Sequence, residues 1–256
     1  MLKVPFDYNP SELMVCAAAR EIKDGERVFV GMRLPLLAFL VALGSHAPKA
    51  VGLFENGVIR TTPAEAAFIT MGDPPNVQGA VSCGSMAEVM GLLQSGRVDL
   101  GLVGGAEVDL HGNLNTTRVE AEGRTIRLPG SGGGADIASL ANRILILMPH
   151  ERRRFKSELS YLTSPGFGTG PGWREEQGLR GGGPRAIITN LCIFDFDPVT
   201  ARARLASLHP GVRLEEVRER TGFEVETGPD LTTTTPPSAK ELELLRRYDP
   251  DGFWTR

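Results

Sequence analysis

The stretch RVFVGMRLPLLAFLVALGSHAPKAVGLFENG, residues 27–57, decides the fold. It opens with a short β-branched and aromatic run, RVFVG (27–31), and continues into an apolar helix, LPLLAFLVALGS (34–45). A second apolar run, AVGLF (50–54), follows just before Glu55, Asn56 and Gly57. Strand, tight turn, helix and strand in that order make a βαβ unit, and such a unit pairs its strands in parallel. Upstream, Asn9 can cap a helix that has Pro10 at its first position and Glu12 completing a capping box. That helix is expected over about 10–24, with Gly25 after the last turn.

Downstream, VDLGLVGG (98–105), RILILMP (143–149), RAIITN (185–190) and LCIFDF (191–196) read as strands. They show little apolar–polar alternation, as expected of strands covered on both sides. The expected architecture is α/β: an open, mostly parallel sheet with helices on both faces. One domain should span residues 1–256, with a C-terminal helical extension from about 210. In that extension a charged helix is expected near 213–221, a TTTTPP connection at 232–237 and a last helix from Ser238. Three Gly-rich stretches punctuate the strands: GGAEVDLHGNLN (104–115), PGSGGGAD (129–136) and PGFGTGPGWREEQGLRGGGP (165–184). The last is long enough to be a functional or a flexible loop.

Charged residues make up 23% of the chain and the formal net charge is -3, so it has no basic footprint for nucleic acid. The apolar runs are too short for a bilayer, and MLKVPFDYNP has no basic segment followed by a long apolar one. A soluble, cytoplasmic protein is expected. Cys16, Cys83 and Cys192 lie far apart without CxxC spacing, which fits reduced thiols rather than a disulfide framework or a zinc site.

Glu55 follows a buried parallel strand, at the carboxyl end where open α/β sheets bind ligands. Position alone leaves it equally a solvated or hydrogen-bonded loop residue. PGSGGGAD precedes the helical IASLANR, so its amides are placed to stabilise an oxyanion or phosphate, or simply to make a connection. It lacks both the Lys-Ser/Thr ending of a P-loop and a dinucleotide fingerprint. In DLHGNLNTTRVE, Asp109, Asn113 and Glu120 fall at calcium-loop positions, but Leu114 stands where the turn needs Gly, which argues against that ion. His46, His111, His150 and His209 have no ligand spacing. Ser164 has no GxSxG context. The basic cluster ERRRF (151–155) could hold nucleotide phosphates, pair with a partner chain, or form an ion-paired solvated face.

Taken together, these segments resemble the B (beta) subunit of glutaconate CoA-transferase, within the family I CoA-transferases. GLFENGVI is similar to the family's active-site motif, and GGAEVDLHGNLNTT to its Gly-Gly-Ala, Asp, Gly-Asn-x-Asn-Ser/Thr segment. PGSGGGADIAS resembles its Gly-Ser-Gly-Gly-Ala loop, and PHERRRF and YLTSPGF follow in family order. The likeness runs from about Glu12 through SLHPGVRLEEVRERTGF. It implies Glu55 as the nucleophile that forms an acyl-glutamyl anhydride and then a glutamyl-CoA thioester. It also implies Asn115, Gly132 and Gly133 as oxyanion donors, with Ser131 and Asp136 in support. No permanent cofactor or metal is implied; coenzyme A is substrate and product. The partner implied is an A (alpha) subunit of similar fold, in a heterodimer or heterotetramer with the active site between the subunits.

Two departures stand out. Arg33 replaces the second Gly of the family's Val-Gly-x-Gly-x-Pro-Leu turn, where it either grips a substrate carboxylate or points to solvent. Phe54 stands where relatives often carry Ser or another small residue, which would reshape an acyl pocket.

Similar proteins include CoA-thioester ring-cleaving hydrolases and a decarboxylase, branches that tend to lack the glutamate matched by Glu55. Its presence favours transfer over hydrolysis or decarboxylation. Sugar-phosphate isomerases and sugar-responsive regulators share a related architecture, but a regulator would add a helix-turn-helix and a basic surface. A non-catalytic partner would leave Glu-Asn-Gly beside two Gly-rich loops without a purpose.

Overall fold

The computed structural model describes residues 7–121 and 123–256, so the opening MLKVPF lies outside the described residues. The chain divides into two compact units, Met1–Leu102 with Thr235–Arg256, and Val103–Thr234.

The first unit begins with α1 (Pro10–Arg20), whose capping box forms as expected: the Asn9 side chain accepts from the Ser11 and Glu12 amides, and Glu12 accepts from the Asn9 amide. The helix stops four residues short of the expected end, capped at Glu21. Next come β1 (Arg27–Phe29), α2 (Leu34–Gly44) and β2 (Val51–Leu53). β1 pairs in parallel with β2, Val28 opposite Gly52, so the βαβ unit forms. Every residue of α2 from Pro35 to Leu43 is buried, as an all-apolar helix requires.

The rest of the unit comprises β3 (Val58–Arg60), α3 (Pro74–Val77), β4 (Ser82–Cys83), α4 (Met86–Gln94) and β5 (Leu100–Val103). β5 lies parallel to β1 on its other side, while β3 and β4 extend the sheet antiparallel beyond β2. Those two strands were not expected. Each has only two or three residues, below the length at which alternation can be read.

In the second unit, β6 (Glu107–Val108) and β7 (Leu114–Asn115) form a small antiparallel hairpin, and β8 (Arg118–Ala121) and β9 (Arg124–Arg127) form another. They are followed by α5 (Gly134–Leu140), β10 (Ile144–Leu147), α6 (Trp173–Glu176), β11 (Pro184–Ile188), β12 (Cys192–Phe196) and β13 (Ala203–Leu208). The charged helix is α7 (Leu214–Glu219), and β14 (Glu226–Thr233) comes next. The strand order is β10-β11-β12-β13-β14, parallel at β10–β11 and β13–β14 and antiparallel between. β14 therefore occupies part of what reads in sequence as a connection, because strand pairing with β13 overrides the turn chemistry of TTTTPP.

The last helix, α8 (Ala239–Tyr248), returns to the first unit and packs on α1 and α2. Its capping glutamate, Glu241, is gripped by Arg20 at 2.7 Å, and Glu12 of the α1 capping box is gripped by Arg246 at 2.8 Å. Each capping carboxylate thus both closes its own helix and fastens the other.

Candidate active site

In the first unit, β2 delivers the chain into a tight turn that carries Glu55. The Gly57 amide donates to Phe54 O and the Phe54 amide to Val58 O, both at 2.9 Å, so Glu55 and Asn56 form the tip between β2 and β3. Gly57 has φ +97°, and a Cβ there would lie 2.3 Å from the Gly84 carbonyl oxygen. Only glycine fits this backbone. Asn56 steadies the turn from outside: Nδ2 donates to Met71 O at 2.7 Å, and Oδ1 accepts from the Val58 amide. Glu55 itself is half-buried, and no hydrogen bond or ion pair engages its carboxylate among the described residues. Such a group is held by its backbone yet keeps both oxygens available for chemistry.

Phe54 points into the core rather than into a pocket. It is fully buried, edge-on to Phe39 at 6.3 Å and tilted against Phe68 at 6.4 Å. Arg33 is exposed, and its guanidinium lies 5.2 Å from the centre of the Trp254 ring. Its backbone, φ 68° and ψ -126°, is one that glycine holds without strain.

Sequence reading missed Arg60. Its guanidinium is buried, pairs with no carboxylate among the described residues, and donates to the carbonyls of Thr62, Pro63, Pro75, Asn76 and Gln78. Burial pushes its pKa down from the usual arginine range. This one side chain folds the 62–78 segment that Asn56 leans on. An Arg ending a strand looks like a surface residue in sequence, and only the loop's return reveals its role.

The second unit holds the remaining expected residues. Asn115 is fully buried and its amide is already committed: Nδ2 donates to Glu107 Oε2 at 2.7 Å and to Arg118 O at 2.6 Å. Its Oδ1 accepts from the Thr117 amide at 3.0 Å. Glu107, also missed in sequence, is 2% exposed and accepts in addition from the Ser160 amide and hydroxyl. Asn115 therefore organises a buried cluster and does not face outward. Its neighbour Thr116 accepts through its carbonyl from the Gly130 amide, and Thr117 O from the Leu128 amide, both at 2.9 Å, which lays the Gly-rich loop along this hairpin.

In that loop Ser131 and Gly132 are exposed, and among the described residues the amides of Ser131, Gly132 and Gly133 donate to no protein acceptor. Three consecutive unspent N–H groups can stabilise a developing oxyanion. Asp136, in the first turn of α5, is exposed. The long Gly-rich loop is pinned rather than loose: the buried Arg174 guanidinium donates to Gly166, Gly181, Ala138 and Ser139 carbonyls, the last two on α5. Asp109 and Asn113 are spent on each other and on the amides of His111, Gly166 and Gly168. Among the described residues no cluster of three His, Cys, Asp or Glu is arranged to hold a metal ion.

The pattern that defines the Coenzyme A transferase family matches residues 12–220. The chain belongs to the coenzyme A transferase family. Within it, the transferase is 38% identical over 244 residues to the B subunit of the 3-oxoadipate CoA-transferase of Pseudomonas knackmussii, 94% of each chain. It is 33% identical to the B subunit of the glutaconate CoA-transferase of Acidaminococcus fermentans, over 95% of this chain and 94% of that one. The crystal structure of that glutaconate enzyme superposes with a TM-score of 0.87, 31% identity and 98% of each chain covered. The decarboxylase AibA/AibB superposes with a TM-score of 0.81 at 27% identity, covering 96% and 97%. The transferase is thus a beta-type chain of α/β fold. No helix among the described residues is long and apolar enough to cross a membrane.

Proposed function

We propose that this chain works in the cytoplasm with an alpha-type chain of similar fold and moves CoA from an acyl-CoA to a carboxylic acid through covalent chemistry at Glu55. The unengaged Glu55 carboxylate, fixed by a glycine-locked turn at the end of β2, carries this reading. A Glu55 oxygen attacks the thioester carbonyl, the C–S bond breaks, and CoA leaves as thiolate from an acyl-glutamyl anhydride. The thiolate then attacks the glutamyl carbonyl, releasing the first acid and leaving a glutamyl-CoA thioester. The second acid attacks that thioester to give a new anhydride, and CoA thiolate returns to its acyl carbon, freeing Glu55.

The tetrahedral oxyanions need preorganised donors, and the amides of Ser131, Gly132 and Gly133 are the proposed ones. Asn115 acts by holding their loop against the β6–β7 hairpin. Arg33 keeps its guanidinium edge available for a substrate carboxylate while its face rests on Trp254.

The co-expressed complex tests this. With an acyl-CoA and no acceptor acid, borohydride reduction followed by peptide mapping should place a modification on Glu55. Glu55→Gln should abolish both the modification and transfer while melting at the same temperature, since no contact of the carboxylate is lost. Acyl-CoA consumption without a glutamyl adduct and without an acceptor would instead establish hydrolysis or decarboxylation.

A further inference from the structure

The basic run singled out in sequence forms a ridge that the mechanism does not use. It is fixed at both ends in the core of the second unit. His150 is buried and stacks on the buried Phe155 ring, with centroids 4.0 Å apart and planes 7° from parallel. Between those anchors Arg152 and Arg153 are exposed and Arg154 is half-buried, with the half-buried Lys156 just beyond. Arg152 is held in place by two carbonyls, donating through Nη1 to Glu219 O at 3.0 Å and Thr221 O at 3.1 Å. Gly222 closes the wall: its amide donates to Phe155 O at 2.8 Å, and a Cβ there would sit 2.1 Å from that oxygen.

A hollow of about 450 Å³ opens on this ridge, lined by Arg152, Arg153, Phe155, Lys156, Ser157 and Gly222, with no carboxylate in its lining. A second hollow, of about 310 Å³, shares Arg153 and Lys156 and adds Arg154. Val119, Ile126 and Leu128 give it an apolar wall, and the carboxylates of Glu107 and Glu120 line it as well, so the phosphates belong to the first hollow. Among the described residues the buried Nε of Arg154 makes no hydrogen bond, its nearest carboxylate being Glu151 at 3.5 Å. Arg153 is exposed and paired with the half-buried Glu151, which also faces Arg154; a phosphate can displace the Arg153 pair at little cost because surface ion pairs are weak and Arg–phosphate bonds are bidentate. Lys156 stands 4.0 Å from Glu107, whose oxygens are already satisfied by Asn115 and Ser160. A cationic ridge between one polar hollow and one partly apolar hollow matches a phosphorylated nucleotide, phosphates on the arginines and the base against the aliphatic wall.

We infer that the Arg152–Ser157 ridge and its two hollows bind the phosphorylated nucleotide end of the CoA ester. This rests on the acyl-CoA reading above but not on Glu55 chemistry.

Adenosine 3′,5′-bisphosphate serves as the probe, titrated calorimetrically into the co-expressed complex carrying Glu55→Gln, and used as an inhibitor of the wild-type complex. Binding that is competitive with acyl-CoA, and weakened about tenfold or more by Arg153→Gln or Lys156→Gln, is expected. Arg153 is largely exposed, so its variant keeps the fold, which an unchanged melting temperature verifies. Undiminished binding in both variants overturns the inference. So does binding at the ridge that fails to compete with acyl-CoA, which would assign it to a separate phosphorylated ligand, and so does loss of complex assembly with probe affinity unchanged, which would assign it to the partner chain. Because the probe needs no turnover, failure of Glu55 as nucleophile would leave this result intact.

Discussion

Arg33 sits at φ 68° and ψ -126°, a backbone that a side chain with a Cβ adopts only under strain of about 1–3 kcal/mol. Stacking on Trp254 offsets part of this, by about 0.5–1 kcal/mol at an exposed site. Arg33→Ala loses the stack and keeps the strain, whereas Arg33→Gly loses both. Thermal unfolding should therefore rank the glycine variant above the alanine variant by about 1 kcal/mol, the reverse of the usual order in regular structure. If Arg33 also grips a substrate carboxylate, both variants raise KM for dicarboxylic acids alone. Sequence showed that Arg replaces a family glycine. It did not show that the glycine's backbone is retained, because a dihedral angle leaves no mark on residue identity when the residue tolerates strain.

The Phe54–Val58 turn couples two strands to the proposed nucleophile. Its geometry depends on Gly57, with the neighbouring Gly84 carbonyl filling the space that a side chain would need. Gly57→Ala should cost about 2 kcal/mol or more and reduce transfer even at temperatures where the chain stays folded, because relief of the clash moves Glu55. Unfolding curves together with initial rates below the transition check this; an unchanged rate would show that Glu55 needs no fixed turn. The same scale explains why α1 and α8 were readable and the small strands were not. The capping boxes of α1 and α8 are local four-residue codes. β3, β4 and β14 exist because a partner strand recruits them, and partners lie elsewhere in the chain.

At the scale of the molecule, the second unit buries two neutral histidines. Burial, with Arg220 and His209 adding to it, pushes His150 down to about 3, and burial pushes His209 down to about 4 despite its bond to Thr189 O. Each ring sits in a hydroxyl network: His150 within 3.0 Å of Thr221 Oγ1, and His209 within 3.0 Å of Thr234 Oγ1. Below the unfolded histidine pKa, about 6.5, the unfolded chain takes up protons that the folded chain refuses, so stability falls as pH falls. The loss continues from about pH 6.5 to the folded values near 3–4, at about 1.4 kcal/mol per pH unit for each histidine once well inside that window. Denaturant unfolding between pH 7 and 5 should show this slope, and His150→Gln should reduce it by about half, leaving the His209 share; a slope unchanged in the variant would mean that other groups carry it.

By itself the sequence determined the βαβ start, the capped helices α1 and α8, the family and the place of Glu55 just after a buried strand, because periodicity, caps and collinear motifs are written in neighbouring residues. Only the tertiary structure decided that Phe54 is core, that Asn115 spends its amide on Glu107, and that Arg60 and Arg174 are buried cations bonded to carbonyls. Each of those outcomes depends on where a buried polar group finds its partner. In this protein the partners of Arg60 lie a few to some twenty residues along the chain, and those of Asn115 and Arg174 up to several tens, distances that no local pattern encodes.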